Sequence, residues 1–581
     1  MADAGPGVAE VTSGLVADDN YRSMVVDVNQ SARAERGAVP EPTTAAAPPS
    51  SEDSGEMTHR QVLEALSGLL LAMFVAMVSS TVVTNALPRI VTDLKGSQTG
   101  YTWVVVATLL TMTATTPIWG KLADLFSKKL LVQVALVIFT IGSLIAASAQ
   151  SMGVLIGARA VQGLGVGGLT ALVQVVIASM VSPRERGRYS GYIGAVFALA
   201  TVSGPLIGGV IVDSPLGWRG CFFVGLPFAV AAFVLLQRTL HLPVVRREVS
   251  IDYLGATLIM GGVSLLLVWI SLAGAHFAWV SATSALLVVG GVLLIALALV
   301  VEARYAREPI IPLRLFRDRT TSLATLASVM IGVAMFGATV YLSQYFQYSR
   351  GMTPTEAGLM SIAMVGGLLV SSITSGRIIS RTGVWKRWLV GGMLLVVLGF
   401  GLLGTIDAST PLYVVGLYMA LVGLGLGATM QNLVLAVQNN TRLEDMGAAS
   451  SVVAFFRSLG GSAGVAVLGT ILSHDVKGNV SDGVRDLAAS GQLDRADLER
   501  LSHSTGQIPD LSTLPGPFRT LYETAFGDAF GHIFLVATPF AVAALVCILF
   551  IKEVPLRTTI QKDVEVLETE GQPADTVASL R

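Results

Sequence analysis

Long apolar segments alternate with short polar ones along most of the chain, from about residue 66 to residue 551. Each apolar segment holds roughly 20 residues or more, the length that an α-helix needs to cross a bilayer. None alternates with a period of two, so helices are predicted and barrel strands are not. The pattern predicts fourteen spans, at about 66–88, 102–122, 131–149, 154–181, 188–213, 221–240, 253–274, 280–301, 321–346, 355–376, 388–406, 411–437, 448–473 and 530–551.

The composition agrees with an all-α polytopic membrane protein and argues against a soluble enzyme. Of the 581 residues, 52% are hydrophobic and 13% are charged, whereas soluble domains carry about 25% charged residues. The net charge of −1 gives no support for nucleic acid as a partner. The chain has no G-x-x-x-x-G-K-[ST] phosphate loop, and its six histidines show no metal-ligand spacing, so we expect neither a cofactor nor a metal.

Lysine and arginine are concentrated on one side of the predicted membrane. If the amino terminus is inside, the inner loops and helix ends hold 22 of these residues. The outer loops then hold nine, and five of those nine lie in one long polar segment, 474–528. By the positive-inside rule, both termini are predicted to be cytoplasmic.

The two ends of the chain resemble each other, which predicts two six-helix units. GLGVGG at 163–168 matches GLGLGA at 423–428, and Gly120 and Asp124 correspond to Gly376 and Ser380. The predicted plan is two bundles with two inserted spans between them. Its parts are a disordered tail at 1–60, a first bundle at 61–240, the inserted spans at 250–303, a basic linker at 304–320, a second bundle at 321–553 and a tail at 554–581.

Three motifs carry the functional information. The loop GKLADLFSKK at 120–129 resembles the G-x-L-a-D-r-x-G-r-k loop of the major facilitator superfamily. GARAVQGLG at 157–165 resembles the R-x-x-q-G motif of that superfamily, and SGPLIGG at 203–209 matches its antiporter signature. YLSQYFQYSRGMTPTEAGL at 341–359 is similar to the fourteen-span drug:proton antiporter family of bacteria.

The resemblance implies a role for each motif. Gly120, Asp124, Lys128 and Lys129 would form a cytoplasmic gating loop, in which Asp124 meets the start of the span that begins near Gly447. The antiporter signature gives a kinked packing face, formed by Gly204, Pro205, Gly208 and Gly209.

Charged groups within the spans are few. Arg159 and Arg457 lie at mid-membrane, where an arginine costs about 2.5–3.5 kcal/mol, so Arg159 is predicted to face a cavity or a partner. The resemblance implies that Arg159 and Gln162 take part in transport or coupling. Packing of Arg159 against backbone carbonyls is the structural alternative. No carboxylate lies at mid-membrane, and Ser79 and Ser80 stand where many relatives have an acid.

Arginine stays protonated, so a proton carrier would have to be peripheral or absent. Asp213 and Glu356, near the outer span ends, are the principal candidates, and Asp93 is a third.

Polar and aromatic side chains inside the spans predict a substrate cavity that holds a large, mostly apolar molecule. Helix packing is the competing use of each. These residues are Asn85, Gln174, Tyr341, Gln344, Tyr345, Gln431 and Asn432.

The predicted function is proton-driven efflux of lipophilic drugs across the bacterial inner membrane, by a monomer that exposes its cavity alternately to the two faces. The expected partners are a lipophilic small molecule, protons and the lipid bilayer. One alternative is an exporter dedicated to a single metabolite, lipid or siderophore, which uses segment 474–528 to hand over its cargo. Another is a receptor or scaffold that has lost transport, an idea that rests on the missing mid-membrane acid.

Overall fold

The computed structural model describes residues 59–95, 98–212, 214–240, 252–274, 276–306, 308–489 and 516–557. The chain divides into two compact units, Met1–Glu56 and Met57–Arg581. All described residues belong to the second unit. The predicted amino-terminal tail therefore lies almost wholly outside the described residues, as does most of the predicted carboxyl-terminal tail.

The first bundle and the inserted pair are helical, as the apolar periodicity predicts. The predicted span 221–240 is two helices that meet at Val224. The helices of this half are α1 His59–Asp93, α2 Gln98–Leu125, α3 Lys128–Ala147, α4 Met152–Met180, α5 Pro183–Val212, α6 Gly217–Phe223, α7 Gly225–Thr239, α8 Tyr253–Leu272 and α9 Ala282–Arg304.

The second bundle begins after a 3-10 turn, Leu313–Arg317, and includes a π-helical stretch, Tyr345–Ser349. Thr353 and Glu356 form a capping box at the start of α11, and Gly383 ends α12 in the left-handed conformation. The helices are α10 Arg319–Gln344, α11 Pro354–Met360, α12 Ile362–Thr382, α13 Lys386–Leu403, α14 Leu412–Asn440, α15 Met446–Ala489 and α16 Gly516–Phe550.

The all-α membrane fold predicted from the sequence is confirmed. Among the described residues, thirteen helical segments are long and apolar enough to cross a membrane. The remaining predicted span, 188–213, coincides with α5, which has 30 residues. The polar segment 474–528 is helical over much of its described part, because α15 continues to Ala489 and α16 begins at Gly516.

The internal repeat appears as the same helix contact in both bundles. A Cβ on Gly163 of α4 would lie 2.5 Å from the Thr108 carbonyl oxygen of α2, and one on Gly167 would lie 2.6 Å from that of Met112. In the second bundle, Gly423 and Gly427 of α14 approach the carbonyls of Met364 and Leu368 of α12 in the same way. Glycine is needed here because two helix backbones touch.

Two helix pairs make most of the contact between the bundles, α2 with α15 and α5 with α12. The inserted helix α8 packs against both α2 and α15, so it covers one of these two seams from outside. A hydrophobic cluster at this place includes Ala114 of α2, Ile259 and Val263 of α8, and Phe455 of α15.

Candidate functional site: a cavity between the bundles and its closed end

A cavity of about 120 Å³ lies between the two bundles. Ligand sites for drug-sized molecules commonly enclose about 300–1,000 Å³. The described structure is therefore a contracted state, which has to widen to admit such a molecule. The lining residues are Met73, Met77, Met112, Thr116, Thr170, Gln174, Ile193, Gly194, Phe197, Met335, Phe336, Leu368, Ser372, Leu426, Gly427, Met430, Gln431, Ala454, Arg457 and Ser458.

A direct hydrogen bond crosses the cavity between the bundles. The Gln174 side chain of α4 donates from Nε2 to Oε1 of Gln431 on α14, over 2.8 Å. The sequence predicts both residues in the cavity wall, and both line the cavity in this structure. Since α4 and α14 belong to different bundles, the bond has to break when the bundles separate.

The rest of the described lining is mainly apolar, with a few neutral polar side chains and one positively charged residue. Five methionines contribute flexible, polarisable side chains. Arg457 of α15 is the one charged residue in the described lining, and no carboxylate is found there. The methionines are not among the predicted cavity residues, because a methionine in an apolar span has no sequence feature that separates a cavity wall from a core.

The other predicted cavity residues lie elsewhere in this structure. The Tyr341 hydroxyl donates to the Val465 carbonyl, and the Tyr345 hydroxyl donates to the Asp407 carbonyl over 2.8 Å. Asn432 is buried and donates to Ser375 Oγ and the Ala428 carbonyl. All three side chains pack inside the second bundle, which corrects the prediction that they line the cavity.

Gln344 and Asn85 are the two remaining residues predicted to line the cavity. Gln344 is half-buried and does not contribute to the lining of the cavity. Asn85 lies within α1, and its side chain is outside the described part of the structure.

Arg159 is held within the first bundle, away from the cavity. Its side chain is buried and donates to Gln162 Oε1 over 2.9 Å and to the Val104 carbonyl over 3.4 Å. Gln162 in turn donates to Ser143 Oγ over 2.7 Å. These hydrogen bonds connect α2, α3 and α4. Their geometry agrees with the structural alternative, in which Arg159 packs against backbone carbonyls.

Of the predicted proton carriers, Glu356 and Asp93 do not belong to the described cavity lining. Glu356 is exposed, and its carboxylate accepts hydrogen bonds from the backbone and the hydroxyl of Thr353 in the capping box of α11. Asp213 lies outside the described residues. Asp93 accepts a hydrogen bond from Trp218 Nε1 over 3.0 Å and pairs with Arg89.

Contacts between the bundles close one end of the cavity. We call this end, where α2 and α12 end and α5 and α15 begin, the latch end. Asp124 of α2 accepts hydrogen bonds from the backbone N–H groups of Gly447 and Ala448 at the start of α15, over 2.7 and 2.9 Å. This is the contact expected from the sequence repeat. A carboxylate at a helix amino terminus is favourable because it satisfies free N–H groups and faces the positive end of the helix dipole.

The rest of the predicted gating loop surrounds that contact. The α-carbon of Gly120 lies against Gly447 and Ser451, where a side chain would overlap both. Lys128 begins α3, and Lys129 donates to the Gln237 carbonyl of α7 over 2.8 Å. The loop is therefore fixed to its own bundle on one side and to α15 on the other.

A second seam at the latch end repeats this arrangement between α5 and α12. Gly376 abuts the Gly187 carbonyl, so a side chain on Gly376 would overlap it. Ser380, the counterpart of Asp124, accepts a hydrogen bond from the Arg188 N–H over 3.0 Å. The two seams share this geometry but differ at the matched position, where the Asp124 carboxylate accepts two backbone hydrogen bonds and the Ser380 hydroxyl accepts one. In the second seam the Arg184 guanidinium also donates to the Ser380 and Arg381 carbonyls, over 3.2 and 3.1 Å.

Further polar contacts reinforce the latch end. Buried Arg186 of α5 donates to Gln438 Oε1 of α14 over 3.2 Å. Arg314 of the linker pairs with Asp445 over 2.9 Å, and this hydrogen bond raises the pKa of the Arg314 guanidinium. Lys121 pairs with Glu308 over 2.5 Å.

The segment that follows α16, residues 551–557, forms a strap across the latch end. Glu553 accepts hydrogen bonds from the backbone of Trp385 and Lys386, and Asn439 donates to the Pro555 carbonyl. The Arg557 carbonyl then accepts from the Arg184 N–H at the start of α5, over 3.2 Å. The strap thus joins the second bundle to the first.

The antiporter motif packs within the first bundle. Gly204 lies against Thr81 and Gly208 against Val82, so α5 contacts α1 closely along this face. Pro205 and Gly209 lie in the same helix, and their surroundings are outside the described residues. A proline here removes one helix hydrogen bond.

A family model described as the Major Facilitator Superfamily matches residues 69–465. The chain belongs to this superfamily. It is therefore a membrane transport protein that carries a small molecule, and not an enzyme, which agrees with the two linked bundles and the cavity between them.

Relatives within the superfamily include named efflux proteins. The efflux pump dotC of Dothistroma septosporum is 36% identical over 499 residues, which cover 85% of this chain and 84% of that pump. The multidrug transporter protein MdtP of Bacillus subtilis is 32% identical over 542 residues, or 90% of this chain and 98% of MdtP. The crystal structure of the human organic anion transporter MFSD10 has a TM-score of 0.52 at 14% identity, covers 83% of this chain and 99% of that one, and shows a shared fold alone.

Proposed function

We propose that this protein exports lipophilic small molecules, including drugs, by alternating access driven by the proton gradient. The observation that carries the proposal is the cavity between the bundles, which is bridged by Gln174 and Gln431 and closed at the latch end. The inner wall of methionines suits ligands of varied shape, because the methionine side chain adapts its rotamers to the ligand. Relatives named as an efflux pump and as a multidrug transporter support the outward direction.

We propose that the latch end faces the cytoplasm, with both termini on that side. The support is the concentration of lysine and arginine in the loops at this end. In that orientation the described state is closed to the cytoplasm. The bacterial inner membrane stays a prediction, since the named relatives come from both a fungus and a bacterium.

We propose that Asp124 is the group through which protons act. Its two carboxylate oxygens each accept a hydrogen bond from the opposite bundle, and protonation would convert one of these acceptors into a donor facing another donor. A proton that reaches Asp124 from the outer side in the closed state would therefore weaken the latch, and the proton would leave to the cytoplasm once the latch is open. Asp213, a predicted carrier outside the described residues, is the alternative for the same role.

Uptake into everted membrane vesicles tests the exporter. Vesicles with wild-type protein should take up a neutral lipophilic dye when energised, and a protonophore should abolish the uptake. The Asp124→Asn variant should lose at least nine-tenths of the rate, whereas Ser380→Ala, the change at the matched position of the second seam, should lose less than half. Wild-type uptake no greater than that of vesicles without the protein, for a broad panel of dyes, would favour the receptor or scaffold alternative.

Proton exchange has its own measurement. Addition of a transported dye to purified wild-type protein in weak buffer should release protons, and Asp124→Asn should release none. Release that survives in Asp124→Asn would transfer the role to another carboxylate, with Asp213→Asn as the next variant.

A further inference from the structure

Arg457 is a positively charged residue within the predicted span 448–473. It lies eleven residues after the first residue of α15, Met446, which corresponds to about 16 Å along the helix and about half the thickness of the hydrocarbon core. Its side chain lines the cavity between the bundles. No hydrogen bond or ion pair of its guanidinium is found among the described residues.

Arg457 differs from the buried arginines Arg159 and Arg186 in its hydrogen bonding. Arg159 donates to the Val104 carbonyl and to Gln162 Oε1, and Arg186 donates to the Val181 carbonyl and to Gln438 Oε1. The five N–H donors of Arg457 have no hydrogen-bond partner among the described residues, and the cavity that Arg457 lines has a mainly apolar wall with a few neutral polar side chains. An arginine at this depth is costly unless it is hydrated or paired, and a cavity of about 120 Å³ has room for several hydrating water molecules.

The surroundings of Arg457 offer no internal counter-charge. No aspartate or glutamate belongs to the described lining. On α1, which contributes Met73 and Met77 to the wall, Ser79 and Ser80 follow without an acid. The polar partners in the lining are neutral groups, among them Gln174, Gln431 and Ser458.

We propose that the cavity selects lipophilic anions, and that Arg457 binds the carboxylate or equivalent acidic group of the substrate. This rests on the proposed exporter and specifies its substrate class. The guanidinium offers a planar pair of N–H donors that matches a carboxylate. The methionines and Phe197 and Phe336 surround the apolar body of the same molecule. A cationic substrate would meet an unscreened like charge in a medium of low dielectric constant.

Three matched probes test the proposal: a lipophilic aryl carboxylate dye, its methyl ester and the corresponding amine. In energised everted vesicles, wild-type protein should take up the carboxylate at least tenfold faster than the amine. Arg457→Gln should lower carboxylate uptake at least tenfold and leave ester uptake within threefold. Arg457→Lys keeps the charge but not the planar donor pair, so its carboxylate uptake should lie between those of wild-type protein and Arg457→Gln. Arg485→Gln, the same substitution at an exposed position of the same helix, should alter none of the rates by more than threefold.

Binding to purified protein separates recognition from folding. The carboxylate probe should raise the midpoint of thermal unfolding of wild-type protein and of Arg457→Lys, but not that of Arg457→Gln, because a ligand stabilises the state that binds it. Size-exclusion chromatography of each variant checks that it is folded.

Three results would overturn the proposal. If wild-type protein takes up the ester and the amine but not the carboxylate, the anion selectivity is wrong, whereas the proposed export function is retained. Equal loss of all probes in a folded Arg457→Gln protein would give Arg457 a structural role instead. Uptake of none of the probes would contradict the exporter itself, and the substrate class with it.

Discussion

Gln174 and Gln431 join the two bundles by a 2.8 Å hydrogen bond inside the substrate cavity. A neutral hydrogen bond of this kind contributes about 1 kcal/mol, which is about a fivefold change in an equilibrium. The bond therefore stabilises the state that is closed at the latch end, and its removal should favour the state that is open there.

Replacement of either glutamine by leucine should increase that opening about fivefold. The measurement is the rate at which a membrane-impermeant maleimide labels Thr116→Cys, a cavity position on α2, in everted vesicles and in a background where Cys221 and Cys547 are alanine. The double variant should label no faster than either single variant, since both remove the same bond. Additive effects would show that the two side chains act independently.

The two seams of the latch end should respond unequally to mutation. Asp124→Asn leaves one of two charge-assisted hydrogen bonds unsatisfied, and such bonds are worth about 1.5–3 kcal/mol each, so labelling of Thr116→Cys should rise at least tenfold. Ser380→Ala removes one neutral bond and should raise labelling about fivefold or less. Equal effects of the two substitutions would contradict the geometric difference between Asp124 and Ser380.

Small side chains at the glycine contacts should keep the latch end open. A Cβ at Gly376 would overlap the Gly187 carbonyl, so Gly376→Ala should force α5 and α12 apart and lower efflux about tenfold, as expected for overpacking that costs about 1–3 kcal/mol. Gly366 lies on the same helix, and a Cβ added there would have no atom of another residue within 4 Å, so Gly366→Ala is the matched control. Similar efflux by Gly376→Ala and Gly366→Ala would show that the seam does not have to close during transport.

The accumulation of a charged substrate should depend on the membrane potential. The carboxylate probe carries one negative charge more than its ester. Outward movement of that charge across the membrane potential is favourable by about 2.3 kcal/mol per 100 mV. In everted vesicles, valinomycin with potassium should therefore lower the final accumulation of the carboxylate probe more steeply than that of the ester, by about a factor of 50 at 100 mV. Equal dependence on the potential would indicate that the acid is carried in its neutral, protonated form.

The sequence predicts the helices well because hydropathy and length alone decide whether a segment can cross a bilayer. It also predicts the contact of Asp124 with the start of α15, since the internal repeat relates positions that are distant in the chain. Gln174 and Gln431 are detectable as amides in apolar spans. In contrast, Tyr341 and Tyr345 share a helical face as expected, but periodicity does not say that this face contacts Val465 and Asp407 inside the bundle.

The extension of α15 to Ala489 is also beyond the reach of hydropathy. Its last turns are polar and are stabilised by tertiary contacts, such as the hydrogen bond that Asn479 donates to the Ala525 carbonyl of α16 and the Asp475–His532 pair. Arg457 is visible in the sequence as a mid-membrane charge, but only the cavity shows that it has no partner among the described residues, while Arg159 has several.

The strap at residues 551–557 has a consequence for biosynthesis. The Arg557 carbonyl that accepts from Arg184 is made after all of the spans, so the first bundle is already inserted in the membrane when this last link between the halves becomes available. A nascent chain in which this segment is still inside the ribosome lacks the tie, and its halves are held by the helix seams and the side-chain contacts between the bundles. Emergence of residues 551–557 from the ribosome is thus the step that supplies this tie between the halves of the newly made transporter.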